Sequence, residues 1–112
     1  MPMKFAYDDV TDSVLIFAKK PNEQVKGSAT IGNLVLDFTK DGKVVGLEIR
    51  KATDFFKSMG VGKDPSEIED AALSINYRRD GFFILIELKF ADQKEQKLPI
   101  FVSAESPQLA TA

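Results

Sequence analysis

The stretch Leu73-Ser74-Ile75-Asn76-Tyr77-Arg78-Arg79-Asp80-Gly81-Phe82-Phe83-Ile84-Leu85-Ile86-Glu87-Leu88 decides the fold. An Asp-Gly pair between two alternating apolar runs is the sequence form of a β-hairpin with a two-residue loop, because Asp and Gly both tolerate the positive φ that such turns demand. With Asp80-Gly81 as the loop, Arg79 lies opposite Phe82. Stepping outward pairs Tyr77 with Ile84, Ile75 with Ile86 and Leu73 with Leu88, and one face is wholly apolar. The same count around Asp41-Gly42 pairs Phe38 with Val45, Leu36 with Leu47 and Leu34 with Ile49. A slip of one residue would turn every apolar side chain to the opposite face, so the pattern supports both hairpins.

Laying Asp41 on Asp80 also matches Leu34 to Leu73, Leu36 to Ile75, Asp37 to Asn76, Phe38 to Tyr77, Lys40 to Arg79, Glu48 to Glu87 and Ile49 to Leu88. An internal duplication would produce this likeness. So would the demands of any Asp-Gly hairpin with one buried face, which is the simpler reading. Upstream, Lys4 to Tyr7 and Ser13 to Ala18 read as strands joined by Asp8-Asp9-Val10-Thr11-Asp12, and Gln24 to Thr30 adds another after Pro21-Asn22. Downstream, Asp92-Gln93-Lys94-Glu95-Gln96 separates Phe90 from a last strand carrying Leu98, Ile100 and Val102, with Pro99 suited to a sheet edge. Between the hairpins, Thr53 caps a short helix that buries Phe55, Phe56 and Met59 and stops at Gly60. Asp64-Pro65-Ser66-Glu67 has the form of a capping box opening a second helix with Ile68, Ala71 and Ala72 on its inner face. The expected fold is therefore α+β: an antiparallel sheet of successive β-hairpins with two short helices packed on it. Residues 1–103 make a single sheet-rich domain and residues 104–112 a loose C-terminal tail.

The chain has 112 residues, 44% of them apolar, enough for one hydrophobic core. Neither Val14-Leu15-Ile16-Phe17-Ala18 nor Phe82-Phe83-Ile84-Leu85-Ile86 approaches the length of a membrane-spanning helix. The start Met1-Pro2-Met3-Lys4-Phe5 lacks the pattern of a secretory signal, and there is no cysteine, so the expected location is the cytoplasm. The net charge of −2 gives no overall field for nucleic acid or an anionic membrane. The absence of both histidine and cysteine removes Ser-His-Asp and Cys-His catalysis and thiolate or imidazole metal ligation. Carboxylate, Lys, Arg, Tyr, Ser and Thr chemistry remains, no cofactor is expected, and a metal would be a hard cation held by oxygen.

The second face of the strands is not cleanly polar. Val35 and Val44 in one hairpin, Phe83 and Leu85 in the other, and Phe101 on the last strand point away from the matched face, and a homodimer that buries them is expected. Among possible sites, Gly60-Val61-Gly62-Lys63-Asp64 invites comparison with a phosphate-binding loop. Lys57 and Asp64 stand where that loop needs Gly and Ser or Thr, so a connector is the better reading. Asp8, Asp9 and Asp12 crowd the first turn, while Asp37 opposite Gly46 and Glu48 opposite Val35 are diagonal neighbours on one face, with Arg50 opposite Asn33 beside them. Asp37 and Glu48, with Asp8 or Asp12, are the candidates for a metal or acid/base site; a solvated or ion-paired face is the simpler account. Arg78, Arg79, Lys40 and Lys43 suit a basic tip, as do Arg50, Lys51 and Lys57. Aromatic residues do not interleave with them in sequence, so nucleic acid is not an expected partner.

The motifs Tyr7-Asp8, Asp12-Ser13-Val14-Leu15-Ile16, Leu34-Val35-Leu36-Asp37, Asp41-Gly42-Lys43-Val44-Val45-Gly46-Leu47-Glu48-Ile49 and Ala52-Thr53 resemble the family known as domain of unknown function 2283, over residues 4–55. The chain departs from the family pattern at Val14 and Leu15, where the family tends to have Leu and an aromatic, and it continues well past the family's usual end. The resemblance implies a small sheet-and-helix domain. It also implies that some members are partners of small neighbouring proteins, including candidate toxins, and it brings no activity. The expected function is a non-enzymatic, homodimeric protein-binding or structural module, with a further expected role for this chain as the antitoxin-like partner of a small protein. The alternative is a carboxylate-based metal-binding protein or enzyme using Asp37 and Glu48.

Overall fold

Both Asp-Gly hairpins form, and they lie in different sheets. The computed structural model describes residues 5–103, so the expected tail from residue 104 lies outside the described residues. The first sheet holds β1 (Phe5–Asp8), β2 (Ser13–Phe17), β3 (Gly27–Ile31), β4 (Leu34–Phe38) and β5 (Val44–Ile49) in the order β1-β2-β5-β4-β3. The second holds β6 (Ile68–Arg78), β7 (Gly81–Phe90) and β8 (Glu95–Ser103) in that order. Every neighbouring pair is antiparallel. The single sheet expected from sequence is thus two, and β6 crosses against β1, β2 and β5.

The two sheets share one core. Val14, Ile16, Leu34, Leu36, Leu47 and Ile49 from the first meet Ile84, Ile86, Leu88, Phe90, Leu98 and Val102 from the second. Helix α1 (Ala52–Ser58) seats Phe56, 1% exposed, in the same cluster. Burying a side chain of that size contributes roughly 2–3 kcal/mol, so a seven-residue helix that would not persist alone is held by its one anchored face. Phe55 and Met59 are only partly buried beside it. Pro99 is exposed on edge strand β8, where its missing N–H is harmless. Among the described residues, no helix is long and apolar enough to cross a membrane.

The first hairpin keeps the expected pairs Leu34 with Ile49 and Leu36 with Leu47, but reaches them by another route. Gly42 N–H donates to Thr39 O at 2.9 Å and Thr39 N–H to Lys43 O at 2.9 Å, which makes a three-residue loop with Gly42 at φ 81. Phe38 then pairs with Val44 instead of Val45, and a bulge at Val45 restores the expected register by Asp37 and Gly46. The second hairpin turns on Arg79-Asp80, with Arg78 opposite Gly81. Its pairs are Tyr77 with Phe82, Ile75 with Ile84, Leu73 with Ile86 and Ala71 with Leu88, each two residues from expectation. A two-residue shift keeps every side chain on its face, so alternation cannot detect it. The third strand decides it: Gly81 pairs with Ser103 of β8 and is drawn out of the turn into the sheet.

The second helix does not form. Its capping box is present, with Ser66 N–H donating to Asp64 Oδ1 at 2.9 Å and Asp64 N–H to Glu67 Oε2 at 2.7 Å, yet it closes only the three-residue 3₁₀ turn Pro65–Glu67. Ile68 pairs with Phe90, and Ala71, expected on a helix face, lies in β6 with 2% exposure. The long apolar strand β7 needs a partner along its whole length, and that tertiary demand overrides the local helical signal.

Candidate functional site

The densest polar constellation is built around Asp12. It sits in the turn between β1 and β2 at φ 54, a left-handed conformation that Asp tolerates better than most residues. Its backbone carbonyl accepts from Ala52 N–H at 2.8 Å. Its carboxylate accepts from Thr53 N–H at 3.2 and 3.1 Å, from Thr53 Oγ1 at 2.9 Å and from Tyr7 Oη at 2.9 Å. Lys51, which precedes the helix at φ 51, supplies no side-chain cap. Asp12 therefore caps α1 from 41 residues away, and Thr53, expected as the cap, is a residue that is capped.

Burial is the largest single influence on Asp12 and pushes its pKa up. The Thr53 hydroxyl, the Tyr7 hydroxyl and the Thr53 N–H together outweigh it, and the carboxyl is held below its usual value. Tyr7 is pushed above its ordinary range, first by burial and then by its bond to the Asp12 carboxylate. A carboxylate so held is a poor proton acceptor, and its lone pairs are spent on the helix end. The arrangement is a structural clasp between the first turn and α1.

The other carboxylates are engaged locally. Asp37 and Glu48 do occupy diagonal positions on the outer face of the first sheet, with Asp37 opposite Gly46 and Glu48 opposite Val35. Asp37 accepts from Ser28 Oγ at 2.7 Å, and a side chain at Gly46 would crowd its Oδ2 at 3.1 Å, so glycine there makes room for the carboxylate. Glu48 pairs with Arg50 Nε at 3.3 Å, and Arg50 is held opposite Asn33, whose Nδ2 donates to Arg50 O at 2.9 Å. Asp8 Oδ1 accepts from Val10 N–H at 2.9 Å within its own turn. Among the described residues no three acidic side chains form a group that could hold a metal ion. Gly60 to Asp64 serves as the connector after α1, with Val61 buried, Lys63 paired to Asp92, and Asp64 in the 3₁₀ cap. Sequence reading passed over Tyr7, Thr53 and Ser28 as partners; the signal that pointed to the first two was their place in the family-like motifs.

Tyr77 Oη accepts from Val44 N–H at 2.8 Å and ties the end of β6 to the β4–β5 hairpin, while the Arg78 guanidinium of the expected basic tip lies over Phe83. The outward apolar residues divide. Val44, expected outside, is in the core at 2% exposure because the bulge turns it inward. Val35 is half-buried on the outer face of the first sheet. Phe83 and Phe101, 37% and 43% exposed, pair across β7 and β8 with ring centroids 4.8 Å apart, Leu85 lies on the same face, and the Arg78 guanidinium sits 5.0 Å from the Phe83 ring.

Residues 4–52 match the model of a family described as protein of unknown function (DUF2283). That span ends at the first residue of α1 and takes in all five strands of the first sheet, while β6, β7 and β8 lie beyond it. It holds Tyr7, Asp12 and Ala52, three of the four residues of the clasp. No curated protein and no solved structure matches the chain.

Proposed function

We propose that this chain is a non-enzymatic binding module that works as a homodimer, joined through the outer face of its second sheet. The observation that carries the reading is the tilted Phe83–Phe101 pair, which leaves two large aromatic rings partly exposed beside Leu85 and Pro99. Ser74 and Asn76 complete the neighbourhood with uncharged polar groups, and charge enters at its two ends, with Arg78 at one and Glu87 opposite Lys97 at the other. Such a patch, aromatic at the centre and polar around it, has the composition of an interface core. The outer face of the first sheet suits a symmetric contact less well, because pairing it with itself would bring Asp37 and Glu48 toward their own copies. Local engagement of Asp12, Asp37 and Glu48 supports binding over carboxylate catalysis. A cytoplasmic setting belongs to this reading, and a chain without cysteine has no disulfide to lose there.

Sedimentation equilibrium tests it. The chain is expected to be dimeric at tens of micromolar, on the order of the range where stable homodimers persist, and Phe101→Asp is expected to yield a folded monomer. A monomeric parent chain, or native mass spectrometry that shows a different protein in place of the second copy, would sink the reading.

A further inference from the structure

We propose that the open end of the sandwich beside the β4–β5 turn binds a free nucleotide, with the ring of the ligand near Phe38 and Phe82 and its phosphates against Lys26, Lys40 and Lys43. Two concavities adjoin there and share Lys26, Thr39 and Lys40. One, of about 490 Å³, has Phe38 and Phe82 in its wall, packed edge to face with centroids 6.4 Å apart. The other, of about 540 Å³, is polar and adds Asn22, Glu23, Gln24, Asp41 and Lys43, so its three lysines face two carboxylates. Each has the size of a small-molecule site, and together they offer an aromatic wall next to a cationic one. That is the complement of a molecule with a planar ring at one end and phosphate at the other.

The charges are arranged to receive an anion. Lys26 is fixed at the mouth by its backbone N–H donating to Phe38 O at 2.8 Å. Among the described residues, the ammonium groups of Lys26 and Lys40 have no hydrogen bond or ion pair. Lys43 is positioned by Glu23 at 2.7 Å, and Glu23 also accepts from Lys20 N–H at 2.8 Å, so its negative charge is answered before a ligand arrives. Lys19, Lys20, Lys26, Lys40 and Lys43 outnumber Glu23 and Asp41 at this end of a chain whose net charge is −2. Asp8, Asp9, Asp12, Asp54 and Asp64 lie around the clasp at the other end, where Lys51, Lys57 and Lys63 offset part of their charge. The local excess of lysine draws anions to the cleft, and lysine ammoniums meet phosphate oxygens as point charges without a fixed geometry. Phosphate alone would leave the aromatic wall unused, which is why the ligand is a nucleotide.

Amide-resolved NMR titration of the full chain with ADP and with UDP tests the site. Saturable shifts at Lys26, Thr39, Lys40 and Phe82 are expected. Adenosine and pyrophosphate, each half of the ligand, are expected to bind at least about tenfold more weakly than ADP. Lys26→Ala combined with Lys40→Ala should weaken ADP at least about tenfold while the melting temperature stays put. Phe38→Leu, which keeps an apolar side chain, should weaken ADP and leave pyrophosphate unchanged. The proposal is overturned by the absence of shifts at about 5 mM nucleotide, on the order of the weakest affinity a site of this size would have. Shifts that map elsewhere, or pyrophosphate binding as tightly as ADP, also overturn it. Phe101→Asp lies on the other face and leaves ADP binding intact, so the dimer and the nucleotide site stand or fall separately.

Discussion

The two hairpins carry the same Asp-Gly signal and solve the turn differently. In β4–β5 the glycine is in the loop, at φ 81, and a bulge at Val45 follows. In β6–β7 the glycine is in the strand, at φ 151, and the ladder runs unbroken from the turn to Asp70. The first hairpin is flanked by β2 and β3, whose contacts include Ala18 N–H to Val45 O at 2.9 Å, a bond that uses the carbonyl of the bulged residue. The second is flanked on one side by β8, which pairs with β7 as far as Gly81. What surrounds a turn therefore chooses its type, and an Asp-Gly pair specifies that the chain reverses without specifying which residues form the loop.

Single-residue deletions should break the comparison most sharply. Removing Val45 takes out the bulge and leaves Phe38 facing Val44 and Asp37 facing Gly46, so all side chains keep their faces. Cooperative unfolding should survive with a loss of roughly 2–3 kcal/mol for the buried valine. Removing Phe83 has no such remedy, because Ile84, Ile86 and Leu88 would all turn outward. No cooperative transition is expected in denaturant melts of that variant, and a stable fold would show that the β6–β7 register is not set by its faces.

The next effect concerns the element that only the first hairpin has at its exit, the clasped helix. Asp12→Ala removes the cap of α1 and the partner of Tyr7, and should cost roughly 2–3 kcal/mol in urea unfolding. The clasp also sets a pH dependence. Because the folded carboxyl of Asp12 lies below its ordinary value, its contribution is present above about pH 4 and is lost as the pH falls through the folded value. Asp12→Asn should flatten the acid limb of a stability-against-pH curve; an unchanged limb would assign acid sensitivity to Asp64 or Asp92, which are also held low.

The smallest effect sharpens the contrast between the glycines. Gly81→Ala places a side chain on a buried residue at φ 151 and should cost roughly 2 kcal/mol. Gly42→Ala meets nothing within 4 Å and should cost about 1 kcal/mol, from its φ alone. Equal costs, measured by thermal melts of both variants, would erase the distinction between a loop glycine and a strand glycine.

Much of this was legible. The register at Leu34, Leu36, Leu47 and Ile49 follows from alternation, since a wrong face would expose several apolar side chains at once. The opposition of Asp37 to Gly46 and of Glu48 to Val35 followed with it. The capping box at Asp64 was legible as chemistry, although its consequence was a single turn, because a local hydrogen-bond pattern competes with the pairing of Ile68 to Phe90 and loses. The basic residues at the two turns, Arg78, Arg79, Lys40 and Lys43, could be named from sequence, but not that Arg78 would lie over Phe83. The contact of Phe83 with Phe101 could not be named either, because alternation alone does not set the register of β7 against β8.

By itself the sequence determined that the chain reverses at the two Asp-Gly pairs and which side chains share a face. It also determined that histidine and cysteine chemistry is absent. These are properties of composition, local backbone preference and a period of two. Tertiary structure alone decided the division into two sheets, the two-residue shift at Gly81, the inward turn of Val44, the capping of α1 by Asp12, and the meeting of lysines with Phe38 and Phe82. Each of those depends on which distant segments compete for the same hydrogen bonds and the same core, and that competition is settled only when the whole chain is packed.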